Sequence, residues 1–110
     1  MKLDKNAAIL TVCEAGEDRS VAFATLLKHD RGYTNVLNCG IAKTSPDTFA
    51  MLAKWADLML VTADKTVWRR VPPIFRSRAK FVDIGFDIWQ NPSDPRLIQI
   101  CRKKIEELGL

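Results

Sequence analysis

No apolar run in this chain approaches the roughly 20 residues that cross a bilayer. Met1 to Asn6 lacks the apolar core of a secretory signal, and Ala7 to Val12 is too short to supply one. A cytoplasmic address is expected. Cysteine is scarce and odd in number: Cys13, Cys39 and Cys101 are widely spaced, which argues against a disulfide framework. No Cys-x-x-Cys and no histidine cluster suggests a metal site. Cys39 and Cys101 sit among apolar residues and read as core, and the single histidine, His29, reads as a cation closing a helix. Repeats, low-complexity tracts and linkers are also missing, so residues 1–110 read as one domain. Basic residues are not interleaved with aromatics, so single-stranded nucleic acid finds no support.

What remains is an ordinary globular balance, 47% apolar and 27% charged, sufficient for a core at this length. The net charge of +4 is uneven: Arg69, Arg70, Arg76, Arg78 and Lys80 crowd one stretch, expected to be a solvated face. Short apolar runs alternate with helical ones. Ala7–Val12, Asn35–Ile41, Asp57–Thr62 and Lys80–Ile84 read as buried strands. Ser20–Lys28 has helical spacing. A second helix starts at Ser45-Pro46 and continues through Phe49, Leu52, Ala53 and Ala56. Lys65–Val71 gives a turn or two of helix before Pro72-Pro73, and a last helix runs from Asp94-Pro95 to Gly109. The alternation predicts an α/β fold, a three-layer sandwich with a parallel sheet of about four strands and helices on both faces. Ligands of such sheets sit at the carboxyl ends of strands, which draws attention to the first loop.

That loop reads Cys13-Glu14-Ala15-Gly16-Glu17-Asp18-Arg19-Ser20. A turn running into a helix start points successive backbone amides inward and cradles an anion, with Gly16 permitting the curl. The same field favours a thiolate at Cys13, the form that attacks phosphorus. Arg19 suits a bidentate clamp on two phosphoryl oxygens, and Ser20 a hydrogen bond to the sulfur. Residues 14–19 thus form the expected phosphate cradle. Cys13, Arg19 and Ser20 are the expected chemical groups.

The wording Cys-x-Ala-Gly-x-x-Arg-Ser resembles the signature of the cysteine-dependent protein tyrosine phosphatases, nearest to the dual-specificity branch. Its place just after the first strand resembles the low-molecular-weight branch, in a shortened version spanning the whole chain. The resemblance implies a phosphomonoester hydrolase working through phosphocysteine without metal or organic cofactor, on a phosphorylated protein or a small phosphomonoester. It also implies a general acid late in the chain. Asp87 matches that position, with Ile88 where the family has proline and Trp89 where an aromatic pocket wall is expected. Asp94 and Asp83 are the competing acids, Asp94 reading first as a helix cap and Asp83 as a strand end.

Two departures from the family carry consequences. Ala15 and Gly16 replace its Gly-Asn pair, so the loop needs a different support. Glu14, Glu17 and Asp18 surround a site for a dianion. One carboxylate ~7 Å from a phosphate dianion opposes it by roughly 1–5 kcal/mol for effective dielectrics of 80 to 20. Glu17 and Asp18 can be accommodated in or near the first helical turn, or the acidic rim selects a substrate with positive charge near its phosphate. The alternative is a catalytically weak phosphate- or phosphoprotein-binding module on the same fold. The sugar phosphotransferase IIB proteins also place a cysteine after strand one but lack the clamp arginine. Thioredoxin-coupled arsenate reductases need a resolving cysteine pair that Cys39 and Cys101 do not form.

Overall fold

The computed structural model describes residues 3–110. Strands β1 (Ile9–Cys13), β2 (Val36–Gly40), β3 (Leu58–Ala63) and β4 (Ala79–Asp83) form one parallel sheet in the order β2-β1-β3-β4. Helices α1 (Arg19–His29), α2 (Pro46–Trp55), α3 (Lys65–Arg70) and α4 (Pro95–Leu108) complete the alternation, with a 3-10 turn at Pro73–Arg78. The central strands β1 and β3 are buried along their whole length, as continuous apolar strands covered on both faces must be. Ile9, Leu58 and Leu60 pack with Phe23, Leu27, Leu97, Cys101 and Ile105 under α1 and α4. Leu10, Val12, Met59 and Val61 pack with Phe49, Ala53 and Val67 under α2 and α3. This is the expected three-layer α/β arrangement, with a core on each side of the sheet.

Local signals explain the helix ends. Ser45 Oγ accepts from Thr48 N at 3.2 Å with Pro46 in the first helical position, so α2 starts where its cap stands. Asp94 accepts from Arg96 N at 2.9 Å and Pro95 follows, fixing the start of α4, which ends at Gly109. Burial pushes the Cys39 thiol up to about 11 and the Cys101 thiol up to about 12, as befits core cysteines.

The strand boundaries differ from expectation by one or two residues. β1 begins at Ile9 because Ala8 N donates instead to the Asp57 carboxylate at 2.9 Å, and it runs on to include Cys13. Arg69, Arg70, Arg76, Arg78 and Lys80 are all exposed, the solvated face that was expected, and two of them also hold backbone carbonyls. Arg78 donates to the carbonyls of Ala53, Lys54 and Ala56 at the end of α2. Arg76 donates to the carbonyls of Val71 and Arg69. These two cations satisfy orphan carbonyls at a helix terminus and a turn. Among the described residues no helix is long and apolar enough to cross a membrane.

Candidate active site: the β1–α1 loop

The loop is seated on the segment that leaves β2. Ile41 N donates to Cys13 O and Ala42 N to Glu14 O, both at 2.9 Å. Contact here is so close that a Cβ on Gly40 would lie 2.1 Å from the Ala15 carbonyl carbon. Gly16, with φ 72°, makes the turn, and a Cβ there would lie 2.6 Å from Gly40 N. Asn38 Nδ2 donates to Gly16 O at 3.1 Å. An asparagine on β2 and a glycine at its end therefore support the loop, in place of the asparagine that the resemblance would have put inside it.

The turn brings polar groups onto the sulfur. Gly16 N donates to Cys13 Sγ at 3.2 Å, and Sγ lies 3.1 Å from Ser20 Oγ, the thiol donating to the hydroxyl. With a thiolate, the Ser20 hydroxyl is the donor across the same gap. Ser20 is fully buried, and its carbonyl accepts from Thr11 Oγ1 at 2.8 Å, which ties the first turn of α1 to β1. Cys13 is itself buried, at 3% exposure.

Arg19 is 1% exposed and anchors three chain segments. Its Nη1 donates to Asp64 Oδ1 at 2.9 Å and to Gly85 O at 2.7 Å. Its Nε is buried with no partner among the described residues. Asp64 was not anticipated from the sequence. It follows β3, caps α3 by accepting from Thr66 N at 3.3 Å, and also accepts from the Thr66 hydroxyl. Burial raises its pKa, but the bonds from Thr66 and Arg19 outweigh that and hold the carboxyl below its ordinary value. The available signal was Asp64-Lys-Thr66 after a buried strand, which is a helix cap at a strand's carboxyl end.

The acidic residues divide. Glu14 is exposed and pairs with Arg70 at 3.3 Å. Glu17 is exposed ahead of the helix, and Asp18 is the N-cap residue without a side-chain cap bond, so the first turn of α1 contains no acid. Burial, then the charges of Asp87 and Glu17, push the Asp18 carboxyl up, against the lowering effect of Arg19. Asp87 thus lies close enough to the loop for its charge to be felt there. It is exposed, on the segment whose Gly85 carbonyl holds Arg19.

Of the competing acids, Asp94 is engaged as the cap of α4, held below its ordinary value by Arg96. Asp83 accepts from Gly85 N at 2.9 Å at the end of β4. Trp89 packs partly buried against the α1–α4 core, with Arg96 5.3 Å from its ring centroid. The aromatic ring on this segment that faces solvent is Phe86, 70% exposed. Among the described residues no group of three or more His, Cys, Asp or Glu could hold a metal.

The chain is similar in fold to the crystal structure of the Erwinia amylovora tyrosine phosphatase amsI, with a TM-score of 0.58 over 93% of each chain at 18% identity. No family model matches the sequence, and no curated protein matches it.

Proposed function

We propose that this chain is a cysteine-dependent phosphomonoester hydrolase of the tyrosine-phosphatase type. The observation that carries the reading is the sulfur of Cys13, buried at a strand end. The Gly16 amide points at it, Ser20 lies within hydrogen-bond distance, and the next helix begins at a buried arginine. The fold likeness to a tyrosine phosphatase supports it.

In the proposed mechanism the phosphate sits over the amides of residues 14–19 with Arg19 beside it. Cys13 thiolate attacks phosphorus, forming the S–P bond as the ester O–P bond breaks, and Asp87 gives its proton to the leaving oxygen. Asp87 then takes a proton from water, the oxygen bonds to phosphorus, and the S–P bond breaks. Phosphate and the thiolate are released. Ser20 stabilises the departing sulfur by donating its hydroxyl hydrogen. Trp89 braces the Asp87 segment from the core side. The substrate is a phosphorylated protein or a small phosphomonoester, and no metal or organic cofactor takes part.

The second reading is a binding module on the same fold. It is favoured by the engagement of Arg19 with Asp64 and Gly85 and by the carboxylates around the loop. Hydrolysis of p-nitrophenyl phosphate, with vanadate as competitor, separates the two. Turnover abolished by Cys13→Ser and lowered about 10²–10⁴-fold by Asp87→Ala establishes the enzyme and its acid. Turnover untouched by Asp87→Ala moves the acid elsewhere. No turnover, with vanadate still protecting Cys13 from alkylation, establishes the binding module.

A further inference from the structure

Beside the Arg19 anchor lies a cavity of about 400 Å³, between the start of α3 and the end of β4. Its lining includes Asp64 and Gly85, the two groups that hold Arg19 Nη1, so it adjoins the β1–α1 loop without belonging to the cradle. We propose that this cavity is an accessory subsite that receives an acidic side chain close in sequence to the phosphorylated residue of a peptide substrate. The inference rests on the phosphatase reading and deepens it by naming a substrate class.

Charge is the first argument. Lys65 and Arg69 line the cavity, lie one turn apart on α3, and are exposed. Neither side chain takes part in an ion pair among the described residues. The neighbouring cations are committed: Arg70 to Glu14, Arg76 and Arg78 to backbone carbonyls. The carboxylates in the lining are committed too. Asp64 is neutralised by Arg19 and bonded by Thr66, and Asp83 accepts from Gly85 N. Asp83 keeps its charge, so two unpaired cations against one unpaired carboxylate leave the cavity net positive, and an incoming carboxylate meets Lys65 and Arg69 at its mouth.

The second argument is contrast across the mouth of the site. Glu17, Asp18 and Asp87 stand around the loop and repel an acidic neighbour of the phosphate. The α3 side is where such a neighbour is accepted, so the charge pattern orients the peptide as well as binding it. Phe86 supplies the third argument. Its ring lines the cavity and is 70% exposed, giving the peptide chain an apolar surface next to the two cations.

The test is binding to the Cys13→Ser protein, read by anisotropy of labelled phosphotyrosine peptides. One set has Asp within three residues of the phosphotyrosine, and the matched set has Lys. The Asp peptides are expected to bind about five- to tenfold tighter at low salt, with the ratio shrinking as salt rises. Lys65→Glu/Arg69→Glu in the same background is expected to invert that ratio. Equal binding of the two sets, with free phosphotyrosine and vanadate competing, overturns the subsite and leaves the phosphatase reading standing. Failure of phosphate, vanadate and every peptide to bind removes the underlying reading and the subsite with it. A small bisphosphorylated phenol binding as tightly as the Asp peptides overturns the peptide as occupant.

Discussion

Asp64 carries its charge into an almost closed site because Arg19 and Thr66 meet it there. Its carboxyl is held below the value of the unfolded chain, so its contribution is complete above the ordinary carboxylate range. That contribution is lost as pH falls below about 4, through the depressed folded value. Asp64→Asn leaves the Arg19 charge buried without a counter-ion, which is expected to cost about 3 kcal/mol at neutral pH. Urea unfolding at pH 7 and pH 3 should show the variant losing less stability than the parent on acidification. With the guanidinium held only by Gly85 O and a neutral amide oxygen, the variant should also lose about ten- to hundredfold in kcat/KM on p-nitrophenyl phosphate. Asp18 has the opposite sign. Its carboxyl is raised by burial and by Asp87 and Glu17, so ionisation at neutral pH opposes folding. Asp18→Asn should raise the melting temperature at pH 7 and leave it unchanged below about pH 3, where the carboxyl is protonated in both states. Cys13, Ser20 and Arg19 could be found in the sequence because their spacing in one short loop is a local pattern. Asp64 could not, since its partner is 45 residues away and it reads equally well as the cap that it also is.

Among the elements, the loop depends on a strand that supports it through Asn38 and Gly40 but supplies none of the proposed reacting groups. Gly40 ends β2, and any Cβ there would be driven into the Ala15 carbonyl group, 2.4 Å from its oxygen. Backbone lies on both sides of this contact, so no flexible side chain can yield. Gly40→Ala is expected to displace residues 15 and 16, turn the Gly16 amide from the sulfur, and lower kcat/KM at least tenfold. The same protein should show faster alkylation of Cys13 by iodoacetamide as the sulfur becomes exposed. The order of strands and helices was legible because apolar runs, Ser45-Pro46, Asp94-Pro95 and Gly109 are local signals. The Gly16–Gly40 contact was not, because it depends on β2 lying beside β1, a pairing that neither segment declares. The Pro73–Arg78 turn was missed for a similar reason: its arginines are ordered by carbonyls of α2 and the α3 end.

For the molecule as a whole, the proposed chemistry uses no metal. Hydrolysis should survive excess chelator and be lost on alkylation of Cys13, a pair of assays run on one sample. The parallel sheet itself was legible from alternation alone, while the proposed substrate face was not, since it joins the β1–α1 loop, α3 and the end of β4.

Arg19 joins residues separated by 45 and 66 positions, and the seat on Gly40 adds the β1–β2 crossover. All of these contacts are present together only when β1, β2, β3 and β4 are all in place. The proposed catalytic centre is therefore expected to be an all-or-none property of the native state. If the proposed hydrolysis is present, its loss in urea should coincide with loss of far-ultraviolet circular dichroism, so that activity would serve as a direct count of folded molecules.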